Sequence, residues 1–194
     1  MTVPAILLAA GASSRLGQPK QLVSVGSEVL LERAIRVARE AGAHPVLVVL
    51  GAHFAPICAR IDLQDAIAVL NEEWMQGIST SIRAGLGALD VSAPNSSCAL
   101  IMTCDQPRLT AAHLRALIAA FHAQPASAIA ASSYAGVRGT PAIFPRDMFP
   151  RMLALKGDKG ARSLIAAESS KVVAVQFDGG EIDIDEPADL DQLR

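Results

Sequence analysis

The sequence predicts an α/β protein in which helices cover both faces of one central sheet. Short apolar runs, such as residues 3–8 and 46–50, alternate with longer amphipathic stretches, and this alternation is typical of a doubly wound α/β fold. The chain has 194 residues, 51% of them hydrophobic, which suits one domain with a sizeable core. Because no internal repeat or linker interrupts the alternation, we expect a single domain over residues 1–194.

In the first half of the chain, predicted strands and helices follow each other regularly. A strand at residues 3–8 leads into a Gly- and Ser-rich loop that ends at Lys20. Apolar residues then recur at helical spacing until Gly42, a typical helix-terminating residue. The remaining predicted elements are a strand at 46–50, a short helix near 55–61, a strand at 67–70 and a helix to Leu89 capped by Ser79 or Ser81.

The second half of the chain continues this order. The predicted elements are a strand at 99–102, a helix from Thr110 to about Phe121, strands at 128–131 and 141–144 joined by a loop at 134–140, a helix at 158–168, a strand at 172–175 and a closing helix at 187–193. Ligands of such folds bind beyond the carboxyl ends of the strands. The loops that follow residues 8 and 102 are therefore the first candidates for a functional site.

Composition excludes several classes of protein. The formal net charge is −2 and aromatic residues make up 4%, so we expect no nucleic-acid partner. The three cysteines, Cys58, Cys98 and Cys104, form no C-x-x-C pair, which argues against a disulfide framework or a zinc site. No apolar run approaches the ~20 residues of a membrane span, and no signal peptide is evident. We therefore expect a cytoplasmic protein without membrane contact.

The loop at residues 8–20, LAAGASSRLGQPK, carries the first functional signal. Its small residues let backbone N–H groups approach phosphate oxygens, and Arg15 and Lys20 add positive charge. The dinucleotide motif G-x-G-x-x-G is absent because residue 13 is Ser, and the P-loop pattern is absent because residue 16 is Leu. An ordinary turn between a strand and a helix has a similar composition, so the loop alone does not decide the function.

The loop pattern L-A-A-G-x-S-x-R-x-G-x-x-K resembles that of the MobA-like NTP transferase family. Residues 71–81, NEEWMQGISTS, are similar to the N-x-x-W-x-x-G-M-S-x-S segment of the molybdenum cofactor cytidylyltransferases in that family. The later blocks 105–107, 139–144, 157–162 and 183–187 follow in the family's order. Ile78 and Glu186 depart from the usual Met and Thr. The resemblance implies a three-layer α/β/α, Rossmann-like nucleotidyltransferase fold with a mostly parallel mixed sheet.

The resemblance also implies a reaction. CMP would pass from CTP to the terminal phosphate of the molybdenum cofactor (molybdopterin), and pyrophosphate would leave. Arg15, Lys20 and Asp105 are the implied catalytic residues, and Asp105 and Asp185 the implied ligands of Mg²⁺, which prefers one or two carboxylates plus phosphates. Asp183 is an alternative to Asp185. A strand-end Asp such as Asp105 is also a common turn or helix-capping residue.

Two sets of binding residues follow from the same resemblance. The implied nucleotide-binding residues are Leu8, Ala9, Ala10, Gly11, Ser13, Arg15, Lys20, Gly77, Ser79 and Ser81. The implied acceptor-binding residues are Trp74, Arg138, Gly139, Pro141 and Arg162. The L-A-A-G form resembles that of CTP-using members, since Ala10 narrows the base pocket relative to the Gly of GTP-using relatives. Trp74 could equally be a core or surface anchor.

Other functions remain open at this point. Some chains with these blocks are oxidoreductases, and others could act on a sugar or polyol phosphate. A third alternative is a chaperone that holds the molybdenum cofactor for insertion into a molybdenum hydroxylase, which would then be a protein partner. No nucleophile–histidine pair is evident, and we expect His113 and His122 on a solvated helix face and Cys104 as a small buried hydrophobe.

Overall fold

The computed structural model describes residues 2–125 and 127–193. Its strands are β1 (Ala5–Leu8), β2 (Ser24–Val25), β3 (Glu28–Val29), β4 (Val46–Leu50), β5 (Ile67–Leu70), β6 (Cys98–Thr103), β7 (Ile129–Tyr134), β8 (Val137–Pro145) and β9 (Val172–Gln176). Seven of them form one sheet in the order β5-β4-β1-β6-β8-β7-β9, and β2 pairs with β3 in a separate ribbon. Only β8 runs antiparallel to its neighbours β6 and β7, so this is a mostly parallel mixed sheet.

Helices cover both faces of the sheet. They are α1 (Leu30–Glu40), α2 (Phe54–Cys58), α3 (Ile78–Ser92), α4 (Ala111–His122), α5 (Phe149–Leu153) and α6 (Ala161–Ala167). Side chains alternate along a strand, and Leu7 of β1 packs in one buried cluster with Ile35 of α1 and Leu114 of α4. Its neighbour Ile6 packs on the opposite face with Ile82 of α3 and Ile165 of α6. The predicted three-layer fold is therefore confirmed.

The segment predicted as a loop at 134–140 is instead the tip of a β-hairpin. β7 continues to Tyr134 and β8 begins at Val137, so Ala135 and Gly136 form the turn. Both have positive φ, 46° and 76°, as a tight two-residue hairpin turn requires. The predicted strands are too short because small and polar residues such as Ser132 and Gly139 interrupt the apolar pattern, although both are paired in the ladder.

Several other element boundaries also differ from the prediction. α3 begins at Ile78 after Gly77, whose φ of 103° favours glycine, so neither Ser79 nor Ser81 caps it. The helix predicted from 158 begins at Ala161 because residues 157–160 form a loop. Residues 187–193 form a 3₁₀ helix, and the short elements α5, β2 and β3 were not predicted. No helix in the described ranges is long and apolar enough to cross a membrane.

His113 is a further correction. It lies on the inner face of α4, is 9% exposed, and its ring stacks on Phe177 with centroids 4.5 Å apart. Its Nε2 lies 2.8 Å from the hydroxyl oxygen of Ser132 on β7. The three-residue spacing from Thr110, which caps the helix, places His113 toward the sheet, whereas His122 at the other end is exposed as expected.

Candidate active site

The site lies where the connectivity of the sheet reverses. The chain runs from β1 to β4 and β5 on one side, then crosses to β6 on the other side of β1. Leu8 at the end of β1 pairs with Thr103 at the end of β6. The loops that follow these two strands therefore leave the sheet side by side, at the position where open α/β sheets bind ligands.

Two adjoining cavities open at this edge. The first, here called the loop cavity, measures about 400 Å³ and is lined by residues 9–12, Ser14, Lys20, Gln21, Trp74 and Met75, among others. The second, the hairpin cavity, measures about 550 Å³ and is lined by Gln106, Tyr134, Val137, Thr140, Arg162, Glu181 and Asp183, among others. Both are lined by Leu8, Ile78, Thr103, Asp105 and Asp158, so Asp105 lies on their common wall.

The loop after β1 presents backbone donors to the loop cavity. The carbonyl of Ala10 accepts a hydrogen bond from the N–H of Ala52 at 3.0 Å, and those of Ala9 and Gly11 accept from the side-chain amide of Gln21. No described hydrogen bond uses the N–H groups of Ala10, Gly11 or Ala12. A run of unpaired N–H groups of this kind binds anions such as phosphate.

Cations and carboxylates meet beside that loop. The Lys20 ammonium donates to Asp105 Oδ2 at 3.0 Å and also to Asp185 Oδ1. Arg15 donates to Asp185 Oδ2 at 2.9 Å and to Glu186 at 3.4 Å. The structure thus brings together Arg15, Lys20, Asp105 and Asp185, as the sequence predicted. Both cations are thus paired with carboxylates.

The pKa shifts reflect this network. Burial lowers the pKa of Lys20, but the charges and hydrogen bonds of Asp105 and Asp185 outweigh it, so the net pKa is raised well above its ordinary value. Desolvation raises the pKa of Asp185, but the Lys20 hydrogen bond and charge, together with Arg15, lower it overall. Lys20 therefore stays charged and Asp185 ionised at any physiological pH.

Asp183 has the opposite shift. Its pKa is raised by desolvation first and then by the charges of Asp105 and Asp185. No described ion pair includes it, although it lies one residue from Ile184, whose N–H donates to the Asp105 carbonyl at 3.0 Å. The hairpin cavity is lined by four carboxylates, of Asp105, Asp158, Glu181 and Asp183, and by one cation, Arg162. This excess of negative charge favours the binding of a cation.

The predicted nucleotide-binding residues fall mostly in one place. Those that line the loop cavity are Leu8, Ala9, Ala10, Gly11, Lys20, Gly77 and Ser81. Ser13 does not line it, but its hydroxyl accepts from the Lys20 N–H at 3.0 Å and so shapes the loop. Ser79 is fully buried in α3, and Arg15 lines neither cavity but forms an ion pair with Asp185. The main part of this prediction is thus gathered around one cavity.

The predicted acceptor-binding residues are more dispersed. Arg162 lines the hairpin cavity, whereas Trp74 lines the loop cavity. Arg138 points away and donates to the carbonyl of Ser169 at 3.0 Å. Gly139 lies against Tyr134, whose hydroxyl oxygen would be 2.4 Å from a Cβ added there. Pro141 is buried in β8, where alternation turns it away from the cavity that its neighbour Thr140 lines.

Sequence reasoning missed several residues of the site. Asp158 lines both cavities, Tyr134 lines the hairpin cavity, and Gln21 and Gln106 lie buried under one cavity each. The two glutamines could have been found, since each directly follows a predicted catalytic residue, Lys20 or Asp105. Nothing in the spacing around Tyr134 distinguished it from an ordinary loop residue.

A loop with unpaired N–H groups beside a cation–carboxylate network, at the reversal point of a mostly parallel sheet, is the arrangement expected of a nucleotidyltransferase. The comparison with known proteins agrees, because a model of the MobA-like NTP transferase domain matches residues 5–172. The chain belongs to this family. The family and the fold predicted from the sequence are thereby both confirmed.

Relatives in this family carry different names. Nicotine blue oxidoreductase of Paenarthrobacter nicotinovorans is 33% identical over 166 residues, covering 82% of this chain and 79% of that protein. The purine catabolism protein PucB of Bacillus subtilis is 33% identical over 207 residues, covering 97% and 94%. A probable molybdenum cofactor guanylyltransferase of Opitutus terrae is 31% identical over 106 residues, covering 55% and 49%.

A solved structure extends the comparison. The Rv0371c protein of Mycobacterium tuberculosis superposes with a TM-score of 0.83 at 30% identity, covering 100% of this chain and 98% of that one. A second crystal structure of the same protein, in complex with manganese, gives a TM-score of 0.81 at 28% identity, with the same coverage. The similarity therefore extends over the whole chain.

Proposed function

We propose that this protein transfers CMP from CTP to the terminal phosphate of the molybdenum cofactor and releases pyrophosphate. The observation that carries the proposal is the Lys20–Asp105–Asp185 network, in which Asp105 lies on the common wall of the two cavities and Lys20 lines the loop cavity. One cavity has the donors for a triphosphate, and the other has room for an acceptor. The guanylyltransferase relative supports a molybdenum cofactor acceptor.

The proposed reaction needs charge neutralisation more than proton transfer. The acceptor phosphate, ionised at neutral pH, attacks the α-phosphorus, a new P–O bond forms, and the bond to the departing pyrophosphate breaks. The N–H groups of the loop after β1 hold the triphosphate, and Lys20 and Arg15 exchange their carboxylate partners for phosphate oxygens. Lys20 lines the loop cavity and is bound to Asp105 on the common wall. Negative charge grows on the phosphates there as pyrophosphate departs, so the contribution of Lys20 is greatest in the transition state.

The carboxylates suit a divalent cation. Among the described residues, no three His, Cys, Asp or Glu side chains are arranged to hold a metal by themselves, which fits Mg²⁺ because it takes one or two carboxylates and completes its shell with phosphates and water. Asp105 would hold it together with Asp183, which takes part in no described ion pair, or with Asp185. The bound ion would neutralise phosphate charge. The manganese complex of a relative supports a divalent cation.

The nucleotide base is proposed to be cytosine. Ala10 lines the loop cavity, and its methyl group narrows the space that a glycine would leave for a purine. The product would pass to a molybdenum hydroxylase as protein partner. Met75 at the loop cavity and Val137 at the hairpin cavity, exposed by 78% and 42%, are the apolar side chains that such a partner would contact first.

The test is pyrophosphate release with each of the four nucleoside triphosphates, with and without molybdopterin cofactor, at millimolar Mg²⁺. We expect wild type to be fastest with CTP and cofactor. Ala10→Gly should relax the preference for CTP over GTP. Asp105→Asn should lower the rate by a factor on the order of 10²–10³ while unfolding like the wild type. A GTP preference would overturn the choice of base. Turnover only with a sugar or polyol phosphate would overturn the acceptor, and oxidation of a nicotinamide cofactor without pyrophosphate release would favour an oxidoreductase.

A further inference from the structure

A buried glutamine lies beneath the loop that follows β1. Gln21 is 1% exposed, and its side-chain Nε2 donates to the carbonyl of Ala9 at 2.7 Å and to that of Gly11 at 3.1 Å. Its Oε1 is buried and has no hydrogen-bond partner among the described residues. Buried acceptors without a partner are rare, so the orientation of this amide is set by the two carbonyls that it serves.

These two hydrogen bonds determine which groups the loop presents. With Ala10 O bound to the N–H of Ala52, all three consecutive carbonyls, from Ala9 to Gly11, are satisfied inside the protein. Carbonyl oxygens that turned into the loop cavity would repel phosphate, whereas N–H groups attract it. The amide of Gln21 therefore keeps carbonyl oxygens of the loop bound inside the protein and leaves the N–H groups of the loop available to a phosphate.

We infer that Gln21 is a positioning residue that keeps the triphosphate-binding face of this loop formed before the nucleotide arrives. The inference rests on the proposed function, in which a triphosphate occupies the loop cavity. Gln21 also lies in the turn Lys20–Leu22, but the Lys20 ammonium is held separately, by Asp105 and Asp185. Only a side chain with two N–H donors on one nitrogen serves two carbonyls in this way; glutamate lacks both donors and methionine has none.

The effect is on binding and not on the chemical step. The N–H groups of the loop contact the triphosphate in the ground state and in the transition state alike, so losing their preorganisation weakens binding uniformly. We expect Gln21→Met to weaken the binding of inorganic triphosphate and of CTP roughly tenfold, with kcat at saturating CTP within about twofold of wild type. Gln21→Glu, which keeps the size of the side chain, places a carboxylate against two carbonyl oxygens and weakens binding at least as much.

The chain offers a matched control. Gln106 is also buried, its Nε2 donates to the carbonyls of Gly180 at 2.9 Å and Thr140 at 3.3 Å, and its Oε1 also has no described partner. These carbonyls belong to the hairpin cavity, so Gln106→Met removes an equivalent pair of hydrogen bonds without touching the loop after β1. We expect it to bind inorganic triphosphate within about twofold of wild type.

The experiment is isothermal titration of wild type, Gln21→Met, Gln21→Glu and Gln106→Met with inorganic triphosphate and with CTP, alongside their thermal unfolding. The inference is supported if both Gln21 variants are folded and bind weakly while Gln106→Met binds like wild type. Wild-type affinity in either folded Gln21 variant, or equal weakening in Gln106→Met, overturns it. If wild type binds inorganic triphosphate but transfers no nucleotide, the proposed function fails and the role of Gln21 stands. If wild type binds neither ligand, both fail.

Discussion

Among single residues, Lys20 is the cation that joins the two candidate metal-binding carboxylates, Asp105 and Asp185. Its side chain is 16% exposed, and its ammonium is bound to Asp105 and Asp185. A triphosphate that enters the loop cavity competes with these carboxylates for the same cation, so ground-state binding gains little from Lys20. The transition state carries more charge on the phosphates, and there the exchange becomes favourable.

Lys20→Ala should therefore lower kcat by on the order of 10²–10³ and change the KM for CTP much less. Steady-state kinetics on both parameters measure this, with Lys156→Ala as the control, because Lys156 is exposed and lies in no described ion pair. An unchanged kcat with a raised KM would show that Lys20 only adds attraction for the nucleotide.

Among the elements, the contact between the start of α3 and the loop at residues 157–160 shapes the wall that the two cavities share. A Cβ on Gly77 would lie 2.4 Å from the carbonyl carbon of Gly157, and the N–H of Ser79 donates to the Gly157 carbonyl at 3.1 Å. The backbones approach so closely only because residue 77 is glycine. This contact places Asp158 on the wall of both cavities.

Gly77→Ala should destabilise the protein by about 1–3 kcal/mol, since the methyl group meets backbone atoms and the φ of 103° disfavours an L side chain. Urea unfolding measures the change. Gly87→Ala in the same helix is the control: a Cβ there meets nothing within 4 Å, so we expect stabilisation by about 0.5–1 kcal/mol. Equal stability of Gly77→Ala and wild type would contradict this account of the contact.

How far the sequence predicts these elements depends on what determines each one. Strands β1, β4 and β6 are buried on both faces and appear as continuous apolar runs, so they were predicted within a few residues. The two strands of the β7–β8 hairpin were predicted but too short, because Ser132 in the ladder is polar yet buried. The hydrogen bond from its hydroxyl to the Pro141 carbonyl at 2.7 Å exists only in the folded chain.

The same distinction applies to the site. Asp105 follows the end of β6 closely, and the topology of the sheet places this strand end beside that of β1. Lys20 ends the loop that follows β1, and the motif of that loop identified it. Trp74 and Arg138 belong to segments whose direction depends on tertiary contacts, such as the hydrogen bond from Arg138 to Ser169. Spacing along the chain carries no information about such contacts, so the assignment of these two residues to the acceptor could not be checked before the fold was known.

At the scale of the whole molecule, the free energy of unfolding should depend on pH through His113, which lies outside the two cavities. His113 is the buried histidine that joins α4 to the sheet through Ser132 and Phe177. Its pKa is lowered, chiefly by burial, against a smaller opposing effect of its hydrogen bond to the Gln176 backbone. The folded protein therefore binds a proton at this position less readily than the unfolded chain does.

The sign of the effect follows from that difference. Above the unfolded-state pKa of about 6.5, His113 is neutral in both states and does not change the free energy of unfolding. As the pH falls below that value, His113 becomes protonated in the unfolded chain but stays neutral in the folded protein. The free energy of unfolding therefore falls by up to about 1.4 kcal/mol per pH unit until the folded-state pKa is reached. Urea unfolding of wild type at pH 7.5, 6.5 and 5.5 should show this loss, and His113→Gln should show less of it. His122→Gln, at an exposed position, should follow wild type, and equal pH dependence of all three proteins would show that burial of His113 does not control it.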